Sequence, residues 1–319
     1  METITHVSCF AVINLLVILV GYSLIRAKAI LLNWTILIST IAVVSYLFIQ
    51  EGAILRMLAI IATTFTGMKV IAVTEGYRNK NLTLTFKQWC VYAIGWVGMR
   101  AEPFETLGAK PLPCARSMIN TGISRVVAGA ALILLARYVE HRYHSDEFTY
   151  LAVTALLLVG FSLVLHFGFL AISAGMWRFS GVNTYLLFRH PARALSLTEL
   201  WSKRWNIAFS EMTSVAVFRP LRKRMGPAAA LLIAFVFSGL LHELALSVPV
   251  NAGYGLPTLY FLLQGLLVLV EKLLMSKNIF FLKNNLVGRV WVFFWLVLPM
   301  PLLFHPAFIK GILWPMAGL

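Results

Sequence analysis

Eight long apolar stretches set the plan of the chain: 7–25, 31–49, 53–73, 118–136, 148–173, 228–248, 256–274 and 290–304. A helix of about 20 mostly apolar residues crosses a bilayer, so each run predicts a membrane span. The last is short and is expected to continue past Pro299 and Pro301. Two apolar pieces, 86–98 and 306–317, are too short to cross and predict re-entrant or interfacial segments. Residues 207–218 mix apolar and polar positions at helical spacing, which predicts a short amphipathic helix in the interface, ending at Arg219-Pro220. The first run has neither a basic flank nor a small-residue cleavage site, so a retained helix is expected. The expected fold is an all-α integral membrane bundle of about eight transmembrane helices, with added interfacial or re-entrant helices. Residues 1–319 read as a single membrane domain.

Composition agrees with that pattern. Of 319 residues 60% are apolar and 12% charged, against roughly 45–50% and about 25% in a soluble globule. A soluble enzyme, a disordered chain and a disulfide scaffold are excluded. The formal net charge is +15, and its distribution follows membrane topology. Twenty Lys and Arg fall in one set of loops and three (Arg137, Arg142, Lys310) in the other, while Arg56, Lys69, Arg125 and Lys272 lie in or at the ends of spans. That asymmetry predicts both termini outside and the long loop 174–227 in the cytoplasm. Membrane lipids are therefore the expected partner of the basic residues, with no nucleic acid. The host membrane is the endoplasmic reticulum in a eukaryote or the inner membrane in a bacterium. Cys9, Cys90 and Cys114 are scattered and form no framework or metal-ligand spacing.

Ionisable side chains at bilayer depth are costly and usually have a task. His242 and Glu243 lie in Ser238-Gly-Leu-Leu-His-Glu243, about 14 residues, or roughly 21 Å, into their span. A neutral imidazole there can accept a proton, which makes His242 a candidate general base; the other reading is a histidine bonded across the bundle. Gly239 shares nearly the same face and leaves room for a substrate, and Ser238 neighbours the ring at i−4. His166, near the middle of 148–173, either orients His242, binds substrate or satisfies a backbone carbonyl. Asn206 follows Trp205 at the membrane edge and reads either as an oxyanion donor or as the N-cap of the helix after it. His141-Arg-Tyr-His144 with Asp146 and Glu147 reads as a solvated outer loop, and no metal-binding, GxSxG or phosphate-loop motif is present.

Several of these motifs stand in a fixed order: Trp177-Arg-Phe-Ser-Gly-Val, Ser196-Leu-Thr-Glu-Leu-Trp-Ser-Lys-Arg-Trp-Asn206, Phe218-Arg-Pro-Leu-Arg222, Ser238-Gly-Leu-Leu-His-Glu243, and Phe261-Leu-Leu-Gln-Gly265 with Glu271. Over 160–305 the chain resembles the wax synthase family, a branch of the membrane-bound O-acyltransferases. Leu200 replaces an aromatic residue usual in plant members, and Gln264 stands where histidine is common, so no catalytic role is expected of it. The resemblance implies a helical bundle around a chamber open to cytosolic acyl-CoA and to a lipophilic alcohol from the bilayer. It implies His242 and Asn206 as catalytic residues. Trp201, Trp205, Ser238, Glu243 and His166, with Arg204 and Arg222 of the basic face, are the expected substrate contacts. No metal or bound cofactor is expected. The expected reaction is acyl transfer to an alcohol, wax ester synthesis above all. An acetyl transferase of terpenoid or sterol alcohols and a proton-coupled carrier are the alternatives.

Overall fold

The computed structural model describes residues 2–143, 146–277 and 284–319. Among these, eight helices are long and apolar enough to cross a membrane. They are α1 (Glu2–Arg26), α2 (Ile30–Leu47), α3 (Ala53–Gly76), α5 (Ala115–Tyr143), α6 (Glu147–Phe179), α9 (Pro227–Ser247), α10 (Leu256–Ser276) and α11 (Asn285–Leu303). Between them lie α4 (Phe86–Gly95), α7 (197–204) and α8 (207–225), and α12 (306–316) closes the chain. The protein is an all-helical, multi-pass membrane protein.

The spans coincide with the apolar runs, but their ends do not. α5 and α6 run past the predicted limits and take in Arg116, Arg137, His141 and Arg178 where polar surroundings begin, arginine being a good helix former. Hydropathy marks the bilayer's apolar slab, not the helix within it. The segment 86–98 is a ten-residue helix opened by a capping box between Thr85 and Gln88. The buried Lys69 closes it, its Nζ donating to the carbonyl of Ala93 at 2.6 Å. The expected break at Arg219-Pro220 is absent. A π-helical turn at Ser214–Phe218 widens the helix just before Pro220, and α8 continues to Met225. Nor does α8 lie free in an interface: Ile207, Ala208, Met212, Thr213, Ala216 and Val217 are buried. His144 of the outer loop and Lys283 of the basic tally lie outside the described residues.

Two compact units emerge, one of residues 1–101 with 189–305, the other of 102–188 with 306–319. The second is built on α5 and α6. Ala115, Gly122, Gly129 and Ala136 are buried on α5 at a spacing of seven, and Gly160, Gly168 and Gly175 face them from α6. A Cβ on Gly129 would lie 2.5 Å from the Gly160 carbonyl oxygen, so the backbones touch. The α6 spacing lengthens from seven to eight between Gly160 and Gly168. The π-helical stretch Leu163–Phe169 supplies that extra residue, which keeps the small-residue stripes in register.

In the first unit, α1, α2 and α3 form a three-helix layer, and α9 and α10 pack as an antiparallel pair. Ala194, Leu197, Leu200, Leu267, Val268 and Val292 form a core around which Trp201, Trp205 and Phe235 pack.

Candidate active site

Helices α7 to α10 of the first unit enclose a cavity of about 290 Å³. Its wall includes Trp201, Trp205, Asn206, Phe209, Phe235, Ser238, His242, Phe261 and Lys272. The helices give its length. Leu231 to His242 on α9 and Phe261 to Lys272 on α10 each span eleven residues, about 16 Å of axis. The cavity is thus a slot with Leu231 and Lys272 at one end and His242 and Phe261 at the other. Half of the lining residues are aromatic or aliphatic, and Thr198, Ser202, Ser210, Thr213, Ser214 and Ser238 add hydroxyls.

His242 lies fifteen residues past Pro227, about 22 Å along the span. Its Nδ1 is 2.7 Å from the carbonyl oxygen of Ser238. A carbonyl only accepts, so Nδ1 carries the proton and Nε2 of the neutral ring keeps a lone pair. Phe261 holds the ring from one side at a centroid distance of 4.3 Å, and Phe209 from another at 5.3 Å. The helix changes to a π-helical turn at Glu243–Ser247, immediately after the histidine.

Asn206 is the N-cap of α8, with φ 40° and ψ 66°. This left-handed conformation is tolerated by asparagine far better than by most residues. Its Oδ1 accepts from the Phe209 N–H at 3.3 Å, which leaves the amide NH2 as the end able to donate. The cap and donor readings of the sequence are therefore compatible: one end of the amide caps the helix while the other offers N–H groups.

Two buried polar residues, Glu271 and Gln264, hold this wall in place, and their roles were not read from the sequence. Glu271 accepts from the backbone N–H groups of Leu197 and Thr198, the Thr198 hydroxyl and the indole of Trp291, all within 2.9 Å. It caps α7 and fixes the approach to Trp201. Gln264 accepts from Trp201 Nε1 at 3.2 Å and donates to the Trp295 carbonyl at 2.7 Å, which sets the indole plane in the wall. Lys272, among the α10 residues in the wall, places a cation at the far end of the slot. An adjacent Glu271-Lys272 pair late in an apolar run was the available signal.

The wall brings together His242, Asn206, Trp201, Trp205 and Ser238, and leaves out four of the expected contacts. Glu243 is buried behind it, its Oε1 accepting from Gly255 N–H, Thr258 N–H and Thr258 Oγ1. Arg204 is committed to Glu199, with Nη2 2.6 Å from Oε1, and to the carbonyls of Arg189 and His190. Burial alone would raise the Glu199 carboxyl, but the Leu195 N–H and the Arg204 guanidinium outweigh it and hold the group below its ordinary value. Arg222 is exposed on the surface of α8. His166 belongs to the second unit, in its π-helical stretch, 3.3 Å from Ser162 Oγ and with its ring 5.0 Å from Phe188. Gly239 makes room for a helix and not for a substrate: a Cβ there would meet Thr258 Cα at 2.6 Å.

The segment that carries this wall also matches a family model. Residues 185–263 match the membrane bound O-acyl transferase family. Over this segment the chain is similar to that family. Two curated proteins are similar to the chain. The long-chain-alcohol O-fatty-acyltransferase of Simmondsia chinensis is 35% identical over 71 residues, 20% of each chain. The probable long-chain-alcohol O-fatty-acyltransferase 2 of Arabidopsis thaliana is 27% identical over 175 residues, 50% of each chain. The chain thus spans no more than half the length of the curated family members it matches. The family segment runs from Tyr185 through Asn206 and His242 to Leu263, and so contains both candidate catalytic residues and the aromatic residues about them.

Proposed function

We propose that the protein is a membrane-bound acyl-CoA:alcohol O-acyltransferase that joins a fatty acyl group to a long-chain alcohol as a wax ester. The observation that carries this reading is the pairing in one apolar slot of a histidine with Nδ1 tied to a carbonyl and an asparagine with a free donor end. Both relatives are named as long-chain-alcohol O-fatty-acyltransferases, one of them as a probable one, which supports the same choice.

Each step has a residue. The alcohol hydroxyl gives its proton to His242 Nε2 as its oxygen attacks the thioester carbonyl carbon. The carbonyl π electrons move to oxygen, and the Asn206 amide NH2 stabilises the resulting oxyanion. The tetrahedral intermediate collapses with cleavage of the C–S bond, and the imidazolium returns the proton to the departing sulfur. The Ser238 carbonyl accepts from Nδ1–H throughout and favours the imidazolium while it exists. The thioester is already an activated acyl donor, so the chemistry calls for no metal or bound cofactor. Lys272 provides a cation at the other end of the slot, suited to the phosphates of CoA. The membrane is the endoplasmic reticulum in a eukaryotic host and the inner membrane in a bacterial one.

The test is an assay of the protein in lipid nanodiscs with labelled palmitoyl-CoA and hexadecanol. Ester formation is expected, and loss of at least about a hundredfold in His242→Ala at unchanged folding. Ester formation undiminished in His242→Ala would overturn the mechanism. Failure to form esters with any alcohol from a panel of fatty, terpenoid and sterol acceptors would overturn the activity.

A further inference from the structure

A second cavity, unrelated to the slot, lies within the α1–α2–α3 layer of the first unit. Its volume is about 270 Å³. Of the residues that line it only Asn33 and Thr40 are polar, the others including Val17, Val20, Leu24 and Ile36. Leu16 and Val20 on its rim are about half exposed, so the crevice opens on the side of the layer that meets lipid. Asn33 and Lys28 mark one end, near the start of α2, while Thr40 lies seven residues along, about 10 Å deeper.

The hydrogen bonds of Asn33 are informative. It is only 2% exposed, and its Nδ2 donates to Thr74 Oγ1 at 2.8 Å. The single hydroxyl proton of Thr74 goes to the Val70 carbonyl at 2.7 Å. Thr74 can therefore only accept from Asn33, which assigns the amide orientation and leaves Oδ1 as the other end. That oxygen is buried and receives no hydrogen bond from any described residue. A buried acceptor left unpaired costs about 1–3 kcal/mol. Thr40 adds no donor, because its hydroxyl proton is given to the Ile36 carbonyl at 2.7 Å. The crevice thus presents mainly acceptors, the second N–H of the Asn33 amide being its one uncommitted side-chain donor. A single water would find too few partners in so apolar a place, where two to four are usual.

We infer that this crevice is a binding site for a single-chain lipid with a hydroxyl head, the hydroxyl donating to Asn33 Oδ1 and the chain lying along α1 and α2 toward Thr40. The head would then stand at the same end as the exposed Arg26 and Lys28, where a lipid head belongs. An ionised fatty acid is disfavoured, because its carboxylate would bring acceptors to an acceptor. The site does not rest on the acyl-transfer reading above.

The experiment uses the purified full chain in nanodiscs and hexadecanol carrying a mid-chain diazirine, with cross-linked peptides mapped by mass spectrometry. Labelling is expected in the α1 and α2 segments that line the crevice. Excess hexadecanol should suppress it, while the methyl ether and palmitate should compete about tenfold less well, the value of one hydrogen bond. Asn33→Leu should lower labelling about tenfold. Val20→Trp, on the half-exposed rim, should block the crevice with the fold intact. Equal competition by alcohol and methyl ether in the parent protein would show unspecific apolar partition and overturn the proposal, as would Asn33→Leu or Val20→Trp labelling like the parent. Because labelling requires no turnover, a chain inactive as a transferase still tests this site.

Discussion

The carboxylate of Glu243 straps α9 to the start of α10: one oxygen accepts from both the backbone N–H and the hydroxyl of Thr258, at 3.1 and 2.9 Å. Phe261, one turn beyond Thr258, lies against His242, the residue before Glu243. The strap therefore sets the position of the ring on which the histidine leans. Glu243→Ala removes three accepted hydrogen bonds from a buried place, and hydrogen bonds to a charged group are worth about 1.5–3 kcal/mol each. A fall in thermal midpoint is expected, with lower ester formation in whatever fraction stays folded. Glu243→Gln keeps the accepting oxygen and is expected to melt near the parent. Scanning fluorimetry of the three proteins decides this, and equal midpoints for Ala and parent would deny the strap.

Gly239 is the close-contact point of the same helix pair. A methyl group there would lie 2.6 Å from Thr258 Cα, a backbone atom that cannot move aside alone. Gly239→Ala is expected to cost about 1–3 kcal/mol by overpacking. It should also widen the His242–Phe261 contact and lower kcat. Had the glycine served to admit substrate, KM would rise with stability unchanged. Melting curves and a kcat and KM comparison separate the two outcomes.

What was legible in the sequence follows from what the bilayer demands. Eight apolar runs of near-spanning length leave little freedom, and among the described residues the structure has eight such helices. His242 and Asn206 stood out because polar groups among apolar or aromatic neighbours are rare, and both line one cavity. The supports did not stand out. Glu271 acts on Leu197 and Thr198, 74 and 73 residues earlier, and Gln264 on Trp201, 63 residues earlier. Such pairings are made by the fold and leave no local spacing to read. Arg204 looked like an anion contact because charge alone is visible in a sequence, whereas its partner Glu199 comes within reach through the π-helical turn at Leu200–Arg204. Pro220 predicted a helix end for a related reason: the wide turn before it changes which backbone groups need a proton.

His305 gives a pH dependence whose sign can be worked out. It is buried beside Ser247, with Nε2 3.4 Å from Oγ, and its ring fills the space against Gly253. Burial pushes the imidazole below its ordinary 6.5, while the charge of Glu243 pulls it partly back. The unfolded chain thus takes up its proton first as the pH falls, so the stability held by neutral His305 is complete above about 6.5 and declines below it. Thermal midpoints of the parent should drop between pH 7 and pH 5.5, and those of His305→Asn should drop less, even from a lower starting value. Parallel slopes for the two proteins would assign the pH dependence to other groups.

Asn206 tests the division of labour within one amide. Its left-handed backbone and its Oδ1 bond to Phe209 are structural, whereas its NH2 is the proposed donor to the oxyanion. Asn206→Asp preserves an accepting oxygen for the cap and a residue that tolerates the left-handed region, but has no N–H to offer. It should melt close to the parent and lose about 10²–10³ in kcat, the range for removal of one oxyanion donor. Asn206→Gly relieves the backbone and costs only a few tenths of a kcal/mol at a cap, yet should lose kcat to a similar degree. Asn206→Ala combines a lost cap, about 1 kcal/mol, with a strained φ and should be the least stable of the three. The order of stabilities and the order of rates are therefore expected to differ. If kcat instead tracked the melting temperature across the series, Asn206 would act on the reaction only through the fold of α8.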